Sequence, residues 1–364
     1  MKRIIPLVLA LLLTISLVGC TVDQTVTETG PRKDTLVAGT EYPKLDANGP
    51  HFNIILGHGT TEDAVGHKTT LRFKELIEER SGGLITVNIY PNTQLGNDRE
   101  MIESVQVGDI QMVWQVTAPQ VSFMPELAIM DVPNAVNDLD VAYELLSKGQ
   151  SRETLEDIYR GSKLVLIDIY PQAFREMSSN IPVNAIEDFK GINIRTMDNP
   201  YHMAYWRALG ANPTPLAFGE LYISLQQGLL DAQENPLDTI LSAKLAEQQD
   251  YIITTDHVLF AATFVMNKEF YDSMPKDYQD LLTITMADTN KETIESSAAA
   301  EEIALDTMVN EYGVKVIELS DELKAQIVEK VQPVWEQIFD AVGEDVKNAF
   351  LNGIEEAEQR VNNK

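Results

Sequence analysis

Apolar residues recur along the chain with the spacing of strands and helices in alternation. In the first third, the predicted elements are strand 52–56, helix 63–79, strand 84–90, a helix from residue 98 to residue 108, and strand 110–116. Consecutive strands are thus separated by helices. This β-α-β-α-β order predicts an α/β layer whose strands are joined by right-handed helical crossovers.

The same alternation continues to the C-terminus and ends in long helices. The further predicted elements are helix 139–159, strand 164–170, the strands in "QAFREMSS" and "GINIRTM", helices 200–209 and 219–227, two strands within 251–267, helix 276–312, strand 314–319, and helices 321–342 and 344–361. At 1.5 Å per residue, helix 276–312 is about 55 Å long. It therefore exceeds one small domain and is predicted to brace two.

The N-terminal segment "MKRIIPLVLALLLTISLVGC" has a basic start, an apolar core and a small residue before Cys20. This pattern is typical of a secretory signal, and it is too short and wrongly flanked for a membrane span. Its end resembles a bacterial lipobox, which implies cleavage after residue 19 and lipidation of the Cys20 thiol. The alternative is an incidental cysteine in a signal peptide. Two or more acyl chains would anchor the protein stably, and polar residues 21–50 would then form a flexible tether.

Length and charge narrow the classes of function. With 364 residues, the chain is long enough for two domains. Its formal net charge is −28, from 28 basic and 56 acidic residues. Nucleic-acid binding is not predicted, because phosphate contacts need clustered Lys and Arg, and any anion site has to be a local one. Since Cys20 is the only cysteine, an internal disulfide is impossible.

Sequence motifs for catalysis and for metal binding are missing. The chain contains no GxSxG, no HExxH, no Gly-rich phosphate loop and no CxxC pair. Its five histidines are scattered, and only His58 and His67 are near one another. For these histidines, packing or solvation is favoured over a metal or acid-base role. We therefore predict a protein that is not an enzyme, has no cofactor and has no metal-binding residues, and the sequence leaves open a cation that assists ligand binding.

Two arginines lie in the central strands of the predicted sheet. Arg195 ends the alternating run "GINIR", and Arg175 alternates with its neighbours in "PQAFREM". One interpretation puts both on solvated faces with nearby acids. We favour burial, because an α/β sheet between helices is covered on both faces. A buried guanidinium needs a carboxylate from the protein or from a ligand, and the arginine fork suits a bidentate carboxylate.

Three segments together carry a family resemblance. They are "YPNTQLGNDREMIESVQVGDIQM", "FREMSSNIPVNAIEDFKGINIRTMDNP" and "ALGANPTPLAFGELYISLQQGLLDAQENPL". In this order and spacing, they resemble the DctP-type solute-binding proteins of TRAP (tripartite ATP-independent periplasmic) transporters, from about residue 52 to the C-terminus. The resemblance implies an α/β, two-domain, periplasmic-binding-protein-like fold with a ligand cleft between the domains and a long helix spanning both.

The resemblance also implies site residues in the second domain. The arginine of the family's "KGxKxRxP" segment, which grips the substrate carboxylate, corresponds to Arg195. A second substrate-facing arginine corresponds to Arg175. The asparagine of the "DGQEN" segment corresponds to Asn235, and the aromatic of "PLPFSE" corresponds to Phe218, which either covers the ligand or is plain core. After Arg195 the family's proline is replaced by "TMDNP", so the pocket edge is expected to differ here.

The wall of the cleft in the first domain corresponds to Asp98, Gln115 and Thr117. A carboxylate such as Asp98 only accepts hydrogen bonds when ionised, so it suits a ligand hydroxyl or ammonium. Its alternative role is to cap the helix that follows.

The implied function is that of an extracytoplasmic receptor, anchored by lipid at Cys20, that captures a small organic acid and delivers it to TRAP permease subunits in the membrane. The alternative is a sensory protein of the same fold that passes its ligand state to a signalling partner. The predicted domains are a signal peptide at 1–19, the lipidated cysteine and tether at 20–50, domain I at 51–172 and 261–300, and domain II at 173–260 and 301–364.

Overall fold

The computed structural model describes residues 41–363, whose strands form two separate sheets. The strands are β1 (Phe52–Gly57), β2 (Ile85–Tyr90), β3 (Met112–Val116), β4 (Leu164–Phe174), β5 (Glu176–Ser179), β6 (Asn193–Thr196), β7 (Asn212–Pro215), β8 (Ala232–Asn235), β9 (Tyr251–Thr254), β10 (Leu259–Asn267) and β11 (Lys315–Glu318). The first sheet has the order β2-β1-β3-β10-β4 and the second has the order β11-β9-β5-β8-β6-β7. Each sheet forms the centre of one lobe, so the predicted two-domain α/β fold is confirmed.

Helices cover the faces of both sheets. The α-helices are α1 (Val65–Arg80), α2 (Asp98–Val107), α3 (Leu139–Ser147), α4 (Gln150–Gly161), α5 (Pro200–Leu209), α6 (Phe218–Gln226), α7 (Leu237–Ser242), α8 (Lys268–Ser273), α9 (Lys276–Tyr312), α10 (Asp321–Val342) and α11 (Glu344–Asn362). Short 3-10 helices occupy Ala118–Ser122, Pro125–Asp131, Ile186–Phe189 and Leu245–Gln248. Within residues 41–363, no helix combines the length and the hydrophobicity of a membrane span.

The predicted continuous helix 139–159 was wrong. It is two helices, α3 and α4, separated at Lys148 and Gly149. Gly149 has φ 84°, a left-handed value that glycine adopts at no steric cost and that an α-helix cannot contain. Apolar residues recur at helical spacing on both sides of this break, which is why the pattern alone suggested one helix.

Three connections join the lobes. The chain passes from β4 to β5 at Arg175, returns from β9 to β10 through residues 255–258, and runs along α9. The main-chain N–H of Arg175 donates to the carbonyl of Val258 at 3.0 Å, so the first two connections lie side by side. We call these two connections the hinge segments.

The long helix α9 has the predicted bounds, and it packs against α1 and β4 in the first lobe and α7 in the second. Gly313, in the left-handed conformation with φ 72°, ends it. This packing confirms that the helix braces both lobes.

Both ends of the described chain pack on the lobes. Tyr42 and Leu45 contact the core of the first lobe, and the Arg80 guanidinium lies 4.9 Å from the Tyr42 ring centroid. The part of the predicted tether from residue 42 onward therefore belongs to the folded body. At the other end, α11 packs against α3 and α4, so the segment 301–364 is not confined to the second lobe. The predicted signal peptide and Cys20 lie outside the described residues.

Candidate functional site

Two adjoining cavities lie between the lobes, and we call them together the cleft. Both are open to solvent, and the space between the protein atoms, including its open part, is about 570 Å³ in the first and about 890 Å³ in the second. Side chains from both lobes line them, and four residues line both cavities: Asp98, Arg195, Met197 and Phe218. The carboxyl ends of parallel strands and the starts of α1, α2 and α6 meet here, which is where ligands bind in open α/β sheets.

Arg195 lies at the junction of the two cavities. It is carried by β6, next to β8 on one side and β7 on the other, and it is 2% exposed. Its Nε and Nη2 both donate to the carbonyl oxygen of Leu216, at 2.9 and 2.7 Å. Both N–H groups on Nη1 and one on Nη2 have no acceptor within residues 41–363, and no carboxylate there forms an ion pair with this guanidinium.

The charge of Arg195 is thus poorly compensated. Burial lowers its pKa to about 10, because a charged guanidinium loses its hydration there. The more distant charges of Glu234 and Asp98 oppose this shift, while the charge of Arg175 adds to it. A buried cation without a carboxylate partner is the arrangement that an anionic ligand would complete.

Arg175, in contrast, has partners inside the protein. It lies in a hinge segment, where Nε pairs with Glu234 and Nη2 donates to the Glu234 carbonyl at 2.6 Å and to Asn235 Oδ1 at 2.9 Å. It lines neither cavity. Its Nη1 makes no hydrogen bond within the described residues, and its Cζ lies 5.4 Å from the ring centroid of Phe260, which lines the first cavity.

Asn235 lines the first cavity at the end of β8. Its Oδ1 accepts from Arg175 and its Nδ2 donates to Gln233 Oε1 at 2.5 Å. One N–H of Nδ2 is therefore left for a ligand. Phe218, at the start of α6, faces both cavities, with its ring centroid 6.0 Å from Arg195 Cζ.

The first-lobe wall contains Asp98 and Gln115, as the resemblance implied. The side chain that caps α2 is Asn97, which accepts from Glu100 N at 3.1 Å, so the capping alternative for Asp98 was wrong. Burial raises the pKa of Asp98, and a hydrogen bond with Gln115 and the charge of Arg195 oppose that rise. Thr117 lines neither cavity; it is buried, and its main-chain N–H donates to the Ala261 carbonyl at 3.2 Å.

Two aromatic rings of the cleft were not predicted. Trp114 on β3 and Phe260 on β10 both line the first cavity. The Trp114 ring lies so close to the start of α1 that a Cβ on Gly66 would be 2.4 Å from it. The glycine is therefore required for the ring to line the cavity. A glycine in the first turn of a predicted helix was the signal that could have pointed to this contact.

The structure also joins histidines that are far apart in sequence. His257, in a hinge segment, lies 3.2 Å from Glu234 Oε2, and His202 on α5 lies 3.1 Å from Asp131 Oδ1. His202 Nδ1 is 3.6 Å from Glu234 Oε1, too far for a hydrogen bond but within ion-pair range. Burial would raise the pKa of Glu234, but Arg175 and the two imidazoles outweigh burial and hold it well below its usual range.

His58 and His67 form a separate pair. Their Nε2 and Nδ1 atoms are 3.0 Å apart, and both residues are buried. Burial, with the neighbouring His67 second, lowers the pKa of His58 to about 3. The pair is thus neutral and packed. Within residues 41–363, no group of three or more His, Cys, Asp or Glu side chains could hold a metal ion.

Similar proteins are known from sequence and from structure. The pattern of the DctP family, described as bacterial extracellular solute-binding protein family 7, matches residues 56–341. A solute-binding protein of Verminephrobacter eiseniae (strain EF01-2) is 37% identical over 204 residues, or 56% of this chain and 61% of that protein, less than two thirds of its length. The C4-dicarboxylate-binding periplasmic protein DctP of Rhodobacter capsulatus is 28% identical over 295 residues, or 80% of this chain and 87% of the relative.

A solved structure is similar over most of this chain. It is the sugar acid binding protein DctPAm from Advenella mimigardefordensis strain DPN7T in complex with galactonate. The two share a TM-score of 0.81 and 29% identity, over 85% of this chain and 99% of that one.

Proposed function

Because the chain belongs to the DctP family of bacterial extracellular solute-binding proteins, we propose that it captures a small organic acid in the cleft and delivers it to a TRAP-type permease. One observation carries this proposal: Arg195 is buried and pairs with no carboxylate of residues 41–363. A ligand carboxylate on its free N–H groups would supply that charge. Each charge-assisted hydrogen bond contributes roughly 1.5–3 kcal/mol.

The names of the relatives support an acid as the ligand. The Rhodobacter protein is named for C4-dicarboxylates, and the Advenella structure contains galactonate. Both compounds are carboxylates. The sensory alternative is not favoured, because these relatives are named for solute binding. The lipid anchor at Cys20 belongs to the proposal on its sequence pattern alone.

The contact between Asp238 and α1 supports closure of the lobes around the ligand. Asp238 Oδ2, in the second lobe, accepts from the main-chain N–H of Val65 at the start of α1, at 2.9 Å. Both residues lie beside the cleft, since Asp238 and the neighbouring Ala64 line the first cavity. Closure excludes water and strengthens the polar contacts to the ligand.

A thermal-shift screen of the mature protein with mono- and dicarboxylates, sugar acids and amino acids tests this proposal. At least one acid is expected to raise the melting temperature, since a ligand that binds only the folded state stabilises it. The shift is expected to disappear in Arg195→Ala and to persist in Arg207→Ala, which removes an exposed arginine of α5. No stabilisation by any acid, or an equal shift in Arg195→Ala, would refute the proposal.

A further inference from the structure

We propose that the cleft selects a monocarboxylic acid whose other end carries hydrogen-bond donors, either hydroxyl or ring N–H groups, and that it rejects a second carboxylate. This inference rests on the proposed function, in which one carboxylate binds at Arg195. It concerns the wall of the first cavity that belongs to the first lobe and lies across from Arg195. Among the described residues, this wall presents hydrogen-bond acceptors and no cations.

The acceptor at Gln115 has a fixed orientation. Its Nε2 donates to the main-chain carbonyl of Asp98 at 2.8 Å. A carbonyl only accepts, so the amide cannot be turned around without losing this bond. Gln115 Oε1 is consequently held as an acceptor, and this buried atom has no hydrogen-bond partner in the described structure. A buried acceptor without a donor is destabilising by roughly 1–3 kcal/mol, and a ligand donor would remove that penalty.

A second amide on the same wall is also unpaired. Gln172 on β4 lines the first cavity and is 2% exposed. Its Oε1 is buried without a partner, and its side chain forms no hydrogen bond within residues 41–363. Two buried amide oxygens without donors thus line one cavity; Gln115 is fixed in this orientation by its Nε2 bond, whereas the Gln172 amide is free to turn toward the ligand. Both would be satisfied by a ligand that brings hydroxyl or N–H groups to this wall.

The charges in the first cavity argue against a second carboxylate. Among its described lining residues, Arg195 is the only cation, whereas Asp98 and Asp238 are acids. Arg175, which lines neither cavity, is already paired with Glu234. Arg99 lines only the second cavity, and its Nε pairs with Glu103 at 3.3 Å. A dicarboxylate that binds Arg195 through one end would place its other charge among acceptors and acids. Repulsion between like charges is strong where water is excluded.

The rings of the cavity fit the same class of ligand. Trp114 and Phe260 line the first cavity, and Phe218 lies beside Arg195. Flat apolar surfaces such as these pack against the C–H face of a polyhydroxy chain or against a planar heterocycle. The apolar contacts therefore come from the body of the ligand, while Arg195 fixes one end. The other end is fixed by the acceptors Gln115 and Gln172, which we call the acceptor wall.

The test is isothermal titration of the mature protein with galactonate, orotate and succinate. Galactonate carries hydroxyl donors, orotate carries ring N–H donors, and succinate carries a second carboxylate. We expect galactonate or orotate to bind at least about tenfold more tightly than succinate, the equivalent of one hydrogen bond. Binding of galactonate alone would assign hydroxyl donors, and binding of orotate alone would assign N–H donors.

Substitutions of Asp98 and Gln172, in the first-lobe wall of the cavity, complete the test. In Asp98→Asn, the affinity for succinate is expected to rise about tenfold and that for the donor-bearing acid to fall about tenfold. Asp140→Asn is the matched control, because Asp140 is an exposed acid in the first turn of α3; its affinities should not change. Gln172→Leu is a second variant that breaks no hydrogen bond of the protein, and it should weaken the donor-bearing acid only.

The outcomes separate the two proposals. If succinate binds as tightly as the donor-bearing acids, with affinity that still depends on Arg195, this inference is wrong and the proposed function stands. Unchanged preferences in both Asp98→Asn and Gln172→Leu would overturn it in the same way. If no acid binds, or Arg195→Ala binds normally, both proposals fail.

Discussion

The stability of this protein is expected to depend on the charge of His202 at the contact between the lobes. Its ring lies between Asp131, which follows β3 in the first lobe, and Glu234 on β8 in the second. Burial lowers the pKa of the imidazole, but the hydrogen bond to Asp131 and the charges of both acids outweigh burial and raise the pKa to about 9. The ring is therefore a cation at neutral pH.

The size of the pH effect on stability follows from the shift in the pKa of His202. The pKa rises from the ordinary value of 6.5 to about 9, and each unit corresponds to about 1.4 kcal/mol. A pKa that is higher in the folded state stabilises the protein fully below pH 6.5, and this stabilisation is lost as the pH rises through 9. Between pH 6 and pH 9.5, His202 should thus account for a loss of about 3 kcal/mol.

Equilibrium urea unfolding of the wild type and of His202→Gln, at several pH values from 6 to 9.5, measures this loss. Glutamine can still donate to Asp131 but carries no charge, so the variant should be less stable at pH 6 and converge with the wild type at pH 9.5. His51→Gln, at an exposed histidine, is the control and should follow the wild type. If the wild type and His202→Gln curves run parallel across this range, or the imidazole titrates near 6.5 by NMR, the assigned charge is wrong.

Two further substitutions test the packing around the cleft and the hinge. Gly66→Ala places a Cβ 2.4 Å from the Trp114 ring, and it is expected to lower the free energy of unfolding by about 1–3 kcal/mol. The control is Gly161→Ala, which has no atom within 4 Å of the new Cβ and should leave the free energy of unfolding unchanged. Equal stability of the two variants in urea would refute the close contact. Arg175→Met removes the guanidinium that pairs with the buried Glu234, and it should lower the free energy of unfolding by about 3–5 kcal/mol. Adding Glu234→Gln should recover part of this stability. An additive loss in the double variant would show that the pair is not coupled.

Helices with continuous patterns and clear ends could be predicted from the sequence. The bounds of α9 and α10 agree with their predicted bounds, because each runs between recognisable signals, with Gly313 and Gly343 at the ends. The predicted helix 139–159 shows the opposite case, because its break into α3 and α4 could not be predicted. There, one glycine with a left-handed backbone separates two helices that each have apolar residues at helical spacing.

The cleft could be predicted in part. Arg195, Asn235, Phe218, Asp98 and Gln115 all line it, since each lies at a strand end or helix start that the topology directs to the same edge. Other features depend on contacts between distant segments, and local patterns contain no information about them. The pairing of Arg175 with Glu234 spans 59 residues, so the local pattern could not show that this guanidinium has a carboxylate partner within the protein.

The acceptor wall and the histidine cluster were beyond prediction for the same reason. Gln172 and Gln115 line the same cavity only because β4 and β3 both pair with β10. His202 and His257 appear scattered in the sequence, and they share Glu234 only after β8 is inserted between β5 and β6.

The most direct test of the central claim is a crystal structure of the mature protein grown with galactonate or with the best acid from the thermal-shift screen. We predict that the ligand carboxylate lies on the free Nη1–Nη2 edge of Arg195, with N···O distances of about 2.7–2.9 Å, and that ligand donors face Gln115 Oε1. A ligand whose carboxylate lies away from Arg195, with this guanidinium still bound only to Leu216, would contradict the account.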